Sequence, residues 1–228
     1  MLIVLPPSET KAPGGNDAEM QLSFPPLDPV RTLLLDALSA TDVDTMMREL
    51  KIPAGKRAEA EENLALRSAP VMPAIQRYTG VLYDALDAAS LSTDALSCLA
   101  VGSALFGVVR AGDLIPRYRV SGGSKLGGKT MKAWWGTSIS EVLAEEDFVV
   151  DLRSGAYQQL GLVPRAVTVR VEQADTGKVV SHFNKQYKGE LARALAPHYA
   201  TRAEDVADIA SAAGFDVALD GTLLTMRV

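Results

Sequence analysis

Residues 103–123 read SALFGVVRAGDLIPRYRVSGG, and they hold three arginines, Arg110, Arg117 and Arg119, with one acid, Asp113. A guanidinium is a planar fork of donors that grips a phosphate or carboxylate through two parallel bonds. Arg117 and Arg119 alternate with Tyr118, so an extended chain points both arginines one way and the tyrosine the other. Asp113 is placed to pair with Arg110 or a nearby arginine and hold it still. On the helix predicted after Asn184, Lys185 and Lys188 stand three residues apart and share a face. Folding can set these two lysines across a cleft from the arginines; the plain alternative is two solvated surface charges.

A second group follows the first apolar run. PPSETK supplies Ser8, Glu9, Thr10 and Lys11: two hydroxyls, an acid and an amine. A polar loop at the end of a first strand is a common ligand address in α/β proteins. The competing reading is a turn whose hydroxyls satisfy their own backbone. Tyr78, Tyr157 and Trp135 are candidates to stack on a base, with Trp134 assigned to the core. Ser154 is placed to cap a helix or to hold an anion at its N-terminus. His182 reads as structural and Cys98 as a buried thiol. The two histidines are sixteen residues apart and Cys98 is distant from both, so no metal site is expected. Neither GxGxxG nor GxxxxGK[ST] occurs, and no cofactor is expected.

The elements that must position these groups sit in a chain of 228 residues with a formal charge of -5. That length suits one domain over residues 1–228 with a sizeable core. One cysteine excludes an internal disulfide and fits the cytoplasm. MLIVLPPSETK lacks a basic start and is too short for a signal peptide or a membrane span, so no membrane is expected. Residues 101–140 carry six Lys/Arg against one acid, and the segments on either side are net acidic. That concentration predicts a basic cleft in an acidic protein.

LIVL, FVVDL and AVTVRVEQ read as strands, SCLAVGSALFGVV as a strand with a tight turn, KVVSHFN as a further strand, and DVALDGTLLTMRV as a hairpin at Asp220-Gly221. DPVRTLLLDALS predicts a helix capped by Asp28 with Pro29 at its first position. Further helices are expected at ATDVDTMMRELK, capped by Thr41 or Asp42, and at GKRAEAEENLALR. AIQRYTGVLYDALDAA is helical but broken at Thr79-Gly80, and KTMKAWWGTSISEVLAEE, SGAYQQLG, KQYKGELARALAPHYA and RAEDVADIASAAGF complete the set. The fold class is mixed α/β, a single domain with a mixed sheet and a helix-rich first half. The alternation of strand and helix is too irregular for a doubly wound fold.

Seven landmarks, in order, resemble the YaaA family of bacterial peroxide-stress proteins. They are LPPSETK, YTGVLYDAL, SALFGVVRAGDLIPRYR, AWWG, VVDLRSGAY, SHFNKQYKGELAR and the late Gly214-Phe215. The resemblance implies an unusual α/β domain with an open basic cleft, in a cytosolic protein that limits damage by iron and peroxide. It implies DNA binding through a helix–hairpin–helix-like element and a positive groove; it implies no established reaction. Three departures stand out. Ala104 replaces a family glycine at a hairpin, where a positive φ would strain it. Gly155-Ala156 replaces an acidic pair, and Gln186-Tyr187 lies where the family is more basic. The expected ligand is double-stranded DNA or a nucleotide-like anion. The alternative is an enzyme acting on a small anionic or nucleobase-like substrate in the same cleft, and iron chelation ranks last. A monomer is favoured.

Overall fold

The computed structural model describes residues 1–180 and 183–228. His182 therefore lies outside the described residues. Leu2–Leu5 form β1, buried along its whole length, as an apolar run in a central parallel strand requires. Pro6 and Pro7 stop it. A single turn at Pro25–Leu27 leads into α1 (Asp28–Ala40). Asp28 is not the cap expected from sequence: Leu27 holds that position, and the Asp28 carboxylate accepts from Arg31. α2 (Val43–Leu50) is capped by Asp42, which accepts the Thr45 N–H. α3 (Arg57–Glu62) is short, and β2 (Val71–Pro73) follows it. α4 (Ala74–Arg77) and α5 (Val81–Leu86) are separated at Gly80, whose φ of 101° suits only glycine.

α6 (Thr93–Ser97) leads into β3 (Leu99–Ser103), and β4 (Gly107–Arg110) folds back along it. The positive φ of this turn falls on Gly107, at 75°, and not on Ala104. The alanine expected to be strained is unstrained, because the turn places its left-handed residue three positions later. β5 (Leu114–Pro116) pairs with β2, and β6 (Lys125–Leu126) pairs with β7 (Lys129–Thr130). Gly136 divides the next helical stretch into α7 (Met131–Trp135) and α8 (Ser138–Ala144). β8 (Val149–Asp151), α9 (Gly155–Gln158), β9 (Val167–Glu172), α10 (Asn184–Leu195) and α11 (Ala203–Ala212) follow, and β10 (Asp216–Asp220) and β11 (Leu223–Arg227) close as the expected hairpin. Of the strand expected at KVVSHFN, the described residues show one bridge, Val179 with Glu172.

Among the described residues the main sheet has seven strands in the order β10-β11-β9-β8-β1-β3-β4. The five from β11 to β3 run parallel, and β10 and β4 are antiparallel edges. The fold is mixed α/β around one mixed sheet. Its parallel centre is closer to a doubly wound sheet than the irregular alternation suggests. The chain passes from β1 to β3 on one side, then returns to place β8 on the other side of β1. The strand order therefore reverses between β1 and β8. A crevice opens outside the carboxyl ends of strands at such a point, where the loops diverge to opposite faces. α10 packs against α5 closely enough that a side chain on Gly189 would overlap the Leu82 carbonyl.

Candidate functional site

The loops leaving β1 and β8 enclose a hollow of about 700 Å3, with Pro6 and Pro7 on one side and Leu152 to Gln158 on the other. Asn184, Lys185 and Lys188 of α10 form a third wall. Lys188 is only 8% exposed, and its Nζ donates to the Leu152 carbonyl at 3.0 Å. Burial lowers its pKa from the ordinary lysine value, and the Asp151 charge works against that. Arg153 lies beneath, fully buried. Its Nε donates to Asp151 Oδ1 at 2.8 Å and its Nη2 to Oδ2 at 2.9 Å, and a further bond reaches the Gly161 carbonyl. This bidentate pair satisfies itself and acts as a strut under the hollow. Glu9 stands at the rim. Tyr157 is half-buried in the wall beside Gly122, and Ser154 is exposed at the cap position of α9 with no capping bond from its side chain.

A second cluster lies next to this hollow. Lys11 Nζ donates to the Ser8 carbonyl at 2.9 Å and sits over the rings of Tyr118, at 4.2 Å, and Tyr78, at 5.3 Å. The Tyr118 hydroxyl joins those of Tyr78 and Ser103, each at 2.7 Å, and Ser103 Oγ accepts the Phe106 N–H. Both tyrosines are buried, which raises their pKa values and keeps them neutral. Burial, aided by Arg119, lowers the Lys11 amine to about 7, against the opposing pull of Glu59 and Glu9. Ser8 Oγ donates to the Thr10 carbonyl and accepts the Thr79 N–H, and Thr10 Oγ1 reaches the Thr79 carbonyl. These hydroxyls serve the backbone, as the plain turn reading has it.

The three arginines do not form a shared positive wall. Arg117 pairs with Glu62 at 2.7 Å and Glu59 at 3.7 Å; Arg119 pairs with Glu9 at 3.0 Å and Glu59 at 3.4 Å. They do face one way while Tyr118 is buried on the other side. Arg110 pairs with Glu146, lies over the Phe24 ring and sits opposite Ala100, near the start of β3. Lys188 meets Leu152 beyond the far end of β8, so the two cations occupy opposite ends of parallel strands. The structure does not bring Arg110 to the hollow. A local excess of charge in sequence is not one in space when acidic flanks fold onto it.

Asp113 accepts the Arg110 backbone N–H and both the N–H and hydroxyl of Ser23. It holds a turn and not the guanidinium. Trp135 is 1% exposed, with Nε1 donating to the Ala104 carbonyl. It belongs to the core, whereas Trp134, expected there, is half-buried beside Lys129. Thus Glu9, Ser154, Tyr157, Lys185 and Lys188 meet at the hollow, and Lys11, Tyr78 and Tyr118 form the neighbouring cluster. The sequence reading missed Asp151, Arg153 and Ser103. One signal was available for the pair: Asp151 ends an apolar strand and Arg153 stands two residues on, and a buried acid needs a partner.

A family profile described as "Peroxide stress protein YaaA" matches residues 1–220. The chain belongs to that family. A UPF0246 protein of Corynebacterium efficiens is 58% identical over 96% of this chain and 96% of its own length. A UPF0246 protein of Corynebacterium glutamicum is 58% identical over 95% and 94%, and one of Streptomyces coelicolor 43% over 86% and 82%. YaaA membership thus rests on most of the chain and agrees with the spread of the sequence landmarks. Among the described residues, no group of three His, Cys, Asp or Glu is arranged to hold a metal ion, and no helix is long and apolar enough to cross a membrane.

Proposed function

We propose that this YaaA-family protein acts in the cytoplasm by holding a small, nucleotide-like anion in the hollow between the ends of β1 and β8. The observation that carries this reading is the buried Lys188 amine, fixed at the hollow by one neutral carbonyl. An ammonium that has lost water gains most from an arriving anion. Lys185 adds a second positive charge on the same wall, and Tyr157 offers a ring for a base. A volume of about 700 Å3 fits a small ligand. Duplex DNA needs a row of cations along an open groove, and the arginines best placed for one are paired with glutamates. In a peroxide-stress family, capture of such an anion would serve to limit iron-dependent damage.

Calorimetric titration tests this with adenosine monophosphate, inorganic phosphate and a short duplex DNA, each across a salt series. One nucleotide should bind per chain, and Lys188→Met should weaken it at least about tenfold, the loss of one charged contact. Duplex binding at ~50 mM salt that Lys188→Met leaves intact, with no nucleotide binding, would replace the hollow with a DNA surface.

A further inference from the structure

Lys11 is a buried amine with unusual company. Structural lysines in protein interiors are paired with carboxylates, because an unpaired charge there is costly. Around Lys11 the acids are engaged elsewhere: Glu9 and Glu59 pair with Arg119, and Glu59 also faces Arg117. The amine keeps one acceptor, the Ser8 carbonyl, and two aromatic faces. Those faces belong to Tyr78 and Tyr118, whose hydroxyls are tied to each other and to Ser103. They remain phenols and offer no counter-charge. The ring faces favour the ammonium weakly; burial and the two arginines disfavour it more, and the balance settles near neutrality, at about 7. Lys11 keeps 8% of its surface exposed, and Glu9, two residues before it, lines the hollow.

We propose that Lys11 is a nucleophilic amine that forms an imine with a small carbonyl compound, an aldehyde or 2-oxo acid, that enters beside Glu9. The amine nitrogen adds to the carbonyl carbon, and the C=O π pair moves onto oxygen. One amine proton passes to that oxygen, giving a carbinolamine. The C–O bond then breaks, the oxygen leaves as water with the second amine proton, and a C=N bond remains. Amine plus carbonyl gives imine plus water, with no oxidant or reductant consumed. Tyr78 and Tyr118 are positioning residues: their rings hold the nitrogen and keep carboxylates away from it. The inference uses the hollow only as a route of entry, and its test reads Lys11 directly, so it can fail while nucleotide binding at Lys188 stands.

The test is reductive trapping on the intact protein with limiting glyoxylate and cyanoborohydride at pH 7, read by peptide mass spectrometry. Lys11 should gain the carboxymethyl adduct about tenfold or more faster than the exposed lysines Lys125, Lys129 and Lys132. Glu59→Gln removes a charge that favours the ammonium, and should speed Lys11 labelling at pH 6 without changing the surface lysines. Lys11→Met should lose the fast adduct and keep the slow ones. The proposal is overturned if Lys11 labels no faster than the surface lysines, or if its rate rises only near pH ~10, the range of a free lysine amine. Loss of the fast adduct in Glu59→Gln with circular dichroism unchanged also counts against it.

Discussion

Arg153 fills the space that a side chain at position 102 would need. A Cβ built on Gly102 would stand 2.5 Å from Arg153 Cδ. Gly102 lies in β3 and Arg153 just beyond β8, so the glycine lets a buried arginine cross the end of β1 between them. The guanidinium cannot move aside, because Asp151 and the Gly161 carbonyl hold it. Gly102→Ala should therefore destabilise the fold by about 1–3 kcal/mol, the usual cost of overpacking. Denaturant unfolding measures it, and a neutral result would show that the arginine has room to shift.

The Asp151–Arg153 pair offers a cycle. Asp151→Asn leaves a buried guanidinium without its charge partner and should cost about 3–5 kcal/mol. Arg153→Met should cost a similar amount by leaving the carboxylate alone. The double variant removes both charges and should cost less than the sum, with the shortfall measured by chemical denaturation. Strict additivity would mean that the two side chains do not act as a unit.

Tyr118 is the middle of the hydroxyl chain and Tyr78 one end of it. Tyr118→Phe strips a partner from two buried hydroxyls, whereas Tyr78→Phe strips one. Each hydroxyl left unsatisfied costs about 1–3 kcal/mol. Tyr118→Phe should be the more destabilising of the two in thermal unfolding.

The Lys11 amine makes stability depend on pH in a definite direction. Its pKa falls from 10.5 in the unfolded chain to about 7 in the folded one. Below the folded value both states carry the proton, and the fold bears the full cost of a buried charge. Between the two values the unfolded chain holds the proton and the folded one does not, so stability rises with pH. The stability of the parent minus that of Lys11→Met should climb across that window and level off above it. Urea titrations at a series of pH values give the difference, and a flat line would mean the amine stays charged inside.

Gly189 sets how near α10 comes to α5. Gly189→Ala would meet the Leu82 carbonyl and the Ala85 side chain. The expected result is a lower melting temperature together with weaker nucleotide binding, because Lys188 is carried on the displaced turn. Unchanged binding in a destabilised variant would separate α10 packing from the hollow.

What the sequence determined by itself was local. Its apolar runs marked β1 and β8, the alternation of AVTVRVEQ marked β9, Asp42 and Gly80 marked helix boundaries, and Asp220-Gly221 marked the last hairpin, because each depends on residues near it in the chain. The alternation of Arg117, Tyr118 and Arg119 correctly put the ring on one side and the cations on the other. Tertiary structure decided what each charge meets. Coulomb attraction acts through space, so the glutamates of α3 and the first loop could neutralise arginines more than fifty residues away, a pairing no segment's net charge displays. Strand order did the rest. It sent Arg110 to one end of the sheet and Lys188 to the other, while packing drew Trp135 into the core and left Trp134 half-buried against it. Burial belongs to the assembled core, and so the low pKa of Lys11 exists only once Tyr78 and Tyr118 close over it.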